Sequence, residues 1–365
     1  MTLLVKFATM LLALTVALTV ALTREGMSMA SRVTMSDVAQ RAGVSLMTVS
    51  RVINNKGDVS SETRQRVQEV IEELGYRPSG IARSLAGGQT YTIGLVVPDI
   101  ANPYFSGVAH GVAQVANEEG FGVLLCDCEE QPERELAALD VLEEKRVDGV
   151  IVAAPRSTKD ELLPVLKHHP NAVVVNRLFD SHDTSIAVGY VLNDDRAGGY
   201  MITRHLLGQG YEAVGFLAGP KNSFGSIQRL VGYQAALKEG GVDFDPDLVR
   251  HCPPTVEGGR QAATRLLQER PEIRALFCFN DLVAIGVLQC CPYLGRQAPD
   301  DLAIIGYDDI PMASWVTPAL TTCHVAFEEM GRRAVQLLIE HISGCTERCE
   351  NIVMKPELII RASAP

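Results

Sequence analysis

The sequence lacks the signatures of the common enzyme chemistries. It has no HExxH pair to hold zinc, no Gly-x-Ser-x-Gly elbow to expose a nucleophilic Ser, and no dinucleotide fingerprint after a strand. Gly219-Pro220 suggests a phosphate loop, but no Gly-x-x-x-x-Gly-Lys follows it, so nucleotide hydrolysis has no support. His168-His169 precedes Pro170 in what reads as an exposed, solvated loop. No catalytic residue, cofactor or metal is expected. The nine Cys form no paired CxxC blocks with His, and an odd number fits a secreted disulfide scaffold poorly. Their close groups, Cys126/Cys128, Cys290/Cys291 and Cys345/Cys349, are read as reduced thiols of a cytoplasmic protein. No heptad tail is present, so a coiled-coil tetramer is not expected.

Aromatic residues are also sparse, 5% with one Trp, against 47% hydrophobic residues and 31 Gly in 365. This is the composition of an ordinary α/β protein of about two domains, long enough to bury a large core. The formal charge of −11 argues at first against a nucleic-acid partner, since phosphates are met by Lys and Arg. Its distribution says otherwise: residues 32–90 carry a net +2 and residues 91–365 carry −14. A small, mildly basic module precedes a large acidic one.

Residues 32–78 read as three short helices. Val38, Ala39 and Ala42 recur at helical spacing, with Ser36 placed to cap their helix and Gly43 to turn the chain after it. Ser45 can cap a second helix whose Val49 and Ile53 face inward at i, i+4. Leu46, Met47, Ser50, Arg51 and Asn54 are then left on other faces, as in a recognition helix with groups free for a groove. A third helix follows Ser60, with Val67, Val70, Ile71 and Leu74 on one stripe and Gly75 as its stop. By spacing alone the unit is either a DNA-binding helix-turn-helix or a helical mini-domain for protein contact.

From Tyr91 onward, short β-rich runs (TIGLVVPD, GVLLCDC, DGVIVAA, AVVVN, AVGFLAG, ALFCFN, LAIIGYD) alternate with helical stretches. Such alternation predicts parallel sheets covered by helices, and there are too many strands for one sheet. The expected fold is therefore α/β, with the small all-α unit followed by a domain of two doubly wound lobes and a cleft between them. Ligands in such folds gather at the carboxyl ends of strands. The residues that end a strand or begin the next helix are Asn102, Tyr104, Phe105, Asn176, Arg177, Arg229, Asn280, Asp281 and Asp308. Their chemistry suits a polyol: a ring packs on the apolar face of a sugar, while carboxylate, amide and guanidinium groups bond adjacent hydroxyls. Tyr104 and Phe105 could instead be core packing, Asp281 and Arg177 could stabilise loops, and Trp315 either lines the cleft or packs the lobe crossover.

The runs AGVSLMTVSRVINN, VSSETRQRV, LGYRP and IARSLAGG resemble the lactose-repressor (LacI/GalR) family of bacterial transcription regulators, and the resemblance extends through almost all of residues 32–365. It implies a sequence-specific DNA-binding regulator, expected to be a repressor of a carbohydrate-utilisation operon, switched by a small sugar or sugar acid. It implies that Ser45, Thr48, Ser50 and Asn54 contact phosphates while Leu46, Met47 and Arg51 face base edges, with Thr34 also in the DNA-binding set. Arg51 can pair with guanine O6 and N7. Residues 79–90 resemble the family's hinge helix, in which Ala82 and the wedge Leu85 would enter the minor groove. Most relatives have Asn where Ser79 stands, which puts one backbone contact in doubt.

The same resemblance implies the architecture of periplasmic sugar-binding proteins for residues 91–365, with lobe one at about 91–191 and 323–347 and lobe two at about 192–320 and 348–365. By motif, Asp308 and Arg229 lead the ligand set, then Asn280 and Asn176, then Tyr104 and Phe105. Ser223 and Gly225 stand where purine-binding relatives use a second Arg, so a purine corepressor is not expected. The implied partners are a pseudo-palindromic double-stranded operator, the effector and a second copy of the chain, with no membrane partner.

Residues 1–31 form an apolar extension, uncharged from Phe7 to Thr23 and carrying LALTVALTVAL between Lys6 and Arg24. A secretory signal, a membrane anchor and an extension upstream of a true start at Met27 or Met29 all fit this pattern. The last is preferred, because residues 24–31 leave little room between an anchor and a unit that must lie on a duplex. The rival to the whole reading is a periplasmic or membrane-anchored sugar-binding protein, which leaves residues 34–85 without a purpose.

Overall fold

The computed structural model describes residues 33–53, 57–76, 88–179, 188–344 and 351–365. The chain divides into two compact units, Met1–Gly88 and Gln89–Pro365.

The first unit contains α1 (Met35–Ala42), α2 (Leu46–Ile53) and α3 (Ser61–Leu74). Thr34, not Ser36, caps α1. Thr34 is the residue in extended backbone, and its Oγ1 accepts the Asp37 N–H at 3.3 Å while the Asp37 carboxylate takes the Thr34 N–H at 2.8 Å. Ser36 already lies inside the first turn. Gly43, at φ 66°, supplies the left-handed residue that turns α1 into α2. Val38, Val49 and Val67 are fully buried at the centre of the unit, one from each helix. In α2 the second buried residue is Val52 rather than Ile53, which packs at the rim.

The second unit carries two six-stranded sheets. The first has the order β11-β5-β4-β3-β1-β2, built from β1 (Thr92–Val97), β2 (Gly122–Asp127), β3 (Gly149–Ala153), β4 (Ala172–Val175), β5 (Val188–Asn193) and β11 (Asn351–Met354). All its pairings are parallel. The second has the order β12-β10-β9-β8-β6-β7, from β6 (Val214–Ala218), β7 (Val249–His251), β8 (Ala275–Cys278), β9 (Ala303–Asp308), β10 (Thr321–His324) and β12 (Glu357–Ile359). Only the β10–β12 pairing there is antiparallel. Strands such as Ala172–Val175 are buried along their whole length, as expected of a parallel sheet covered on both faces.

The chain passes between the lobes three times. It leaves β5 for α7 (Asp195–Gly208) at Asp194, leaves β10 for α12 (Phe327–Ile342) at residues 325–326, and leaves β11 for β12 at residues 355–356. This moves the expected boundaries. Residues 192–193 stay in the first sheet, Cys323 and His324 stay in the second, and Asn351–Met354 adds a strand beside β5 instead of joining lobe two. Backbone pairing decides each of these, and a four-residue strand has too short a period to announce its sheet.

Helices α4 (Pro103–Glu118), α8 (Phe224–Glu239) and α10 (Asp281–Cys290) start at the carboxyl ends of strands and aim their N-termini at the space between the lobes. The α7–α8 pair is unusually close. A Cβ on Gly199 would stand 2.3 Å from the Arg229 carbonyl oxygen, and one on Gly232 would stand 2.1 Å from that of Arg196. His169 corrects the loop reading: it is buried, with Nε2 3.2 Å from the Leu139 carbonyl oxygen, and burial lowers its pKa. Among the described residues no helix is long and apolar enough to cross a membrane.

Candidate functional site

A small cavity lies between the lobes of the second unit. Tyr104, Phe105, Asn176, Arg229, Asn280 and Asp308 all line it, together with Asn102. Their convergence follows from topology, because each except Arg229, which lies further along α8, ends a strand or starts the helix after one. Asn102 caps α4 by accepting the Tyr104 N–H at 3.0 Å, and Asn280 caps α10 by accepting the Val283 N–H at 2.9 Å. Four residues of the lining, Glu130, Ala154, Asn176 and Asp308, have positive φ of 60°, 44°, 55° and 105°. Such conformations cost a non-glycine residue about 1–3 kcal/mol each, and here they cluster at strand ends facing the cavity.

Arg229 is the electrostatic centre. Its guanidinium is buried, with Nε and Nη2 each 3.0 Å from Asp195 Oδ1, Nη1 donating to the Phe279 carbonyl, and Nη2 3.8 Å from Asp308. The Tyr307 ring lies 3.5 Å from its central carbon and the Phe279 ring 4.7 Å. Burial works against its charge, but Asp195, Tyr307 and Asp308 outweigh it, and its pKa stands above the usual arginine value. Asp308 is shifted the other way for a carboxylate. Burial raises its pKa well above the ordinary range, Asp281 and Asp195 add to this, and Arg229 opposes it.

Tyr104 and Phe105 meet edge to face at 4.9 Å, and the Tyr104 hydroxyl points at Met330 Sδ, so both rings pack the first lobe and also line the cavity. Asn176 Oδ1 accepts the Asn193 N–H at 3.3 Å. Other strand-end residues go elsewhere. Asp281 is fully buried, accepts from Thr322 Oγ1 at 2.6 Å and from the Ile310 N–H at 2.9 Å, and ties the β8, β9 and β10 ends together away from the lining. Arg177 donates to the Pro155 carbonyl at 2.8 Å and covers the Phe179 ring. Trp315, 73% exposed on the short α11 (Met312–Trp315), is absent from the lining.

Sequence reasoning missed Glu130, Arg156 and Phe279 in the lining and Asp195 behind it. Arg156 and Glu130 follow β3 and β2, so the strand-end rule applied to every strand would have found them. Asp195 opens α7 two residues after β5, so the same rule reaches it.

In the first unit, Ser45 Oγ accepts the Thr48 N–H at 3.1 Å and lies 2.9 Å from Thr48 Oγ1, so both hydroxyls sit at the N-terminus of α2. Leu46 and Met47 are 53% and 64% exposed, whereas Arg51 and Ser50 are half-buried. Both apolar side chains are therefore accessible beside the start of α2. Asn54, Ala82, Leu85 and the hinge at 79–85 lie outside the described residues.

Comparison with known proteins agrees with this division. Residues 34–79 match the family described as bacterial regulatory proteins, lacI family, and residues 90–362 match periplasmic binding proteins and sugar binding domain of LacI family. The chain is 35% identical to the HTH-type transcriptional regulator DegA of Bacillus subtilis (strain 168) over 332 residues, 91% of this chain and 98% of that protein. It is also 35% identical to the HTH-type transcriptional repressor PurR of Haemophilus influenzae (strain PittEE), over 90% of this chain and 98% of the relative. Among solved structures it resembles the lac repressor dimer bound to operator and the anti-inducer ONPF (TM-score 0.80, 26% identity, 92% of this chain and 99% of that one). A complex of the transcriptional regulator CelR with cellobiose is similar too (TM-score 0.69, 32% identity, 91% of this chain and 100% of that one). The chain therefore belongs to the LacI family and is a DNA-binding transcription regulator with a ligand-binding domain of periplasmic-binding-protein type.

Proposed function

We propose that the chain is a cytoplasmic repressor of a carbohydrate-utilisation operon whose effector, a small polyol, occupies the inter-lobe cavity. The observation that carries this reading is the set of groups around that space, which includes two aromatic rings, three amides, two guanidinium groups and two carboxylates. Arg229 and Asp308 would bond adjacent hydroxyls, Asn176 and Asn280 would fix the others, and Tyr104 and Phe105 would pack the ring face. Solved relatives supply support, one holding cellobiose and another, from Enterococcus faecium, holding ribose.

On the DNA side, Arg51 would read guanine in the major groove, Leu46 and Met47 would meet thymine methyls, and Ser45, Thr48, Ser50 and Asn54, with Thr34, would hold phosphates. Leu85 beside Ala82 would wedge the minor groove. A homodimer would place two such units on a pseudo-palindrome. Ligand would shift operator affinity only through its differential affinity for the two conformations.

The test is Asp308→Ala. Sugars that raise the wild-type melting temperature and change operator retention in a gel should do neither in the variant, while its operator binding without sugar persists. A fully responsive variant would remove Asp308 from the site.

A further inference from the structure

The cavity has a second guanidinium, Arg156, which lies in lobe one and is only 4% exposed. Glu130, also in the lining, grips it in a two-pronged pair: Nε to Oε2 at 2.5 Å and Nη2 to Oε1 at 2.9 Å. Nη1 donates to the Ala154 carbonyl. Three of its five N–H groups are thus committed, and two remain for an acceptor in the cavity. The backbone is pinned from both sides, since the Arg156 N–H donates to Glu135 Oε2 at 2.7 Å and Asn222 of the opposite lobe donates to the Arg156 carbonyl at 3.1 Å. Glu129 and Glu130 both have positive φ, 48° and 60°, so the loop that presents Glu130 is held in a conformation non-glycine residues avoid.

The charges around the cavity can be counted among the described residues. Arg156 and Arg229 are the cations of the lining; Glu130, Asp308 and Asp195 face them. The next charges outward from Arg156, Glu135 and Arg177, are one of each sign. No cation is left without a carboxylate. A ligand carrying a carboxylate or phosphate would add a buried negative charge with nothing to compensate it, a large penalty at low dielectric. Hydroxyls meet no such penalty, because they accept from the two remaining N–H groups of Arg156 and donate to carboxylate oxygens.

Building on the polyol reading, we infer that the Glu130–Arg156 pair restricts the cavity to uncharged polyols and excludes sugar acids and sugar phosphates. Glu130 is then a specificity-determining residue: it neutralises Arg156 without removing its capacity to donate.

Isothermal titration of the full chain with matched pairs tests this: glucose against glucuronate and glucose 6-phosphate, galactose against galacturonate, ribose against ribose 5-phosphate, and cellobiose. The expected result is that the tightest ligand is neutral, that its charged partner is at least about tenfold weaker, and that Glu130→Gln narrows or reverses the ratio. A charged ligand binding the wild type as tightly as its neutral partner overturns the inference and leaves the polyol reading intact. No binding by any member of the panel overturns the polyol reading itself, and the inference with it. Should Glu130→Gln fail to fold, Arg156→Gln, which leaves the Glu130 carboxylate uncompensated, must widen the ratio against the acids; a gain for the acids would sink the idea.

Discussion

Asp195 Oδ1 receives both Nε and Nη2 of Arg229 at 3.0 Å, a buried pair that joins the first turn of α7 to the middle of α8. One carboxylate oxygen thereby sets the position of the guanidinium that faces the inter-lobe cavity and favours its charge. Asn193, the last residue of β5, donates to the same oxygen at 3.1 Å and to the Tyr307 hydroxyl at 3.0 Å, so the pair is anchored where the chain crosses between lobes.

Asp195→Ala should therefore destabilise the second unit by about 3–5 kcal/mol, the usual consequence of leaving a buried charge unpaired. Urea denaturation checks this, and a loss below about 1 kcal/mol would mean that Asp308, 3.8 Å away, is enough to hold Arg229.

Gly198 allows Tyr307 to lie against Arg229, since a Cβ there would stand 2.2 Å from the Tyr307 hydroxyl. Gly198→Ala should cost about 1–3 kcal/mol by overpacking and weaken any ligand held by Arg229. Gly208→Ala on the same helix, with open space around its Cβ, is the control and should be neutral or slightly stabilising. Equal effects of the two would discount the steric argument.

Stability should fall as pH rises from about 4 to about 7. Burial, foremost, raises the pKa of Asp308 well above the ordinary value and that of Asp281 to about 7, so in this window the folded state holds protons that the unfolded state has released. The folded state is thus favoured below the window and loses this contribution as pH climbs through it. Urea midpoints at pH 4.5, 6 and 8 would show the decline, and Asp308→Asn, which mimics the protonated acid, should flatten it. A midpoint that rises with pH, or an unchanged slope in the variant, would contradict this assignment.

Arg51→Ala should lose about 1–3 kcal/mol of discrimination at one base pair of the operator, with a smaller effect on non-specific DNA. Titrations of specific and scrambled duplexes at one salt concentration separate the two. Equal losses would make Arg51 a phosphate contact.

Much was legible in the residues alone, and for identifiable reasons. The helix-turn-helix core was readable because Val38, Val49 and Val67 recur in local periodic stripes closed by Gly43 and Gly75. The six expected cavity residues could be named because parallel α/β topology brings strand ends together whatever the pairing order. Thr34 in place of Ser36 as the cap of α1 shows the limit of that reading: two hydroxyls compete within three residues, and backbone dihedrals choose.

What the sequence determined by itself, then, is the kind of each element and which residues stand at its ends, since both depend on short-range spacing. The tertiary structure decided everything that joins distant segments: the sheet to which Asn351–Met354 adds, the capture of Arg229 by Asp195, and the pairing of Arg156 with Glu130. Residues 26 to 34 positions apart cannot report on each other through local pattern; only the sheets and helices between them bring their charges within 3 Å.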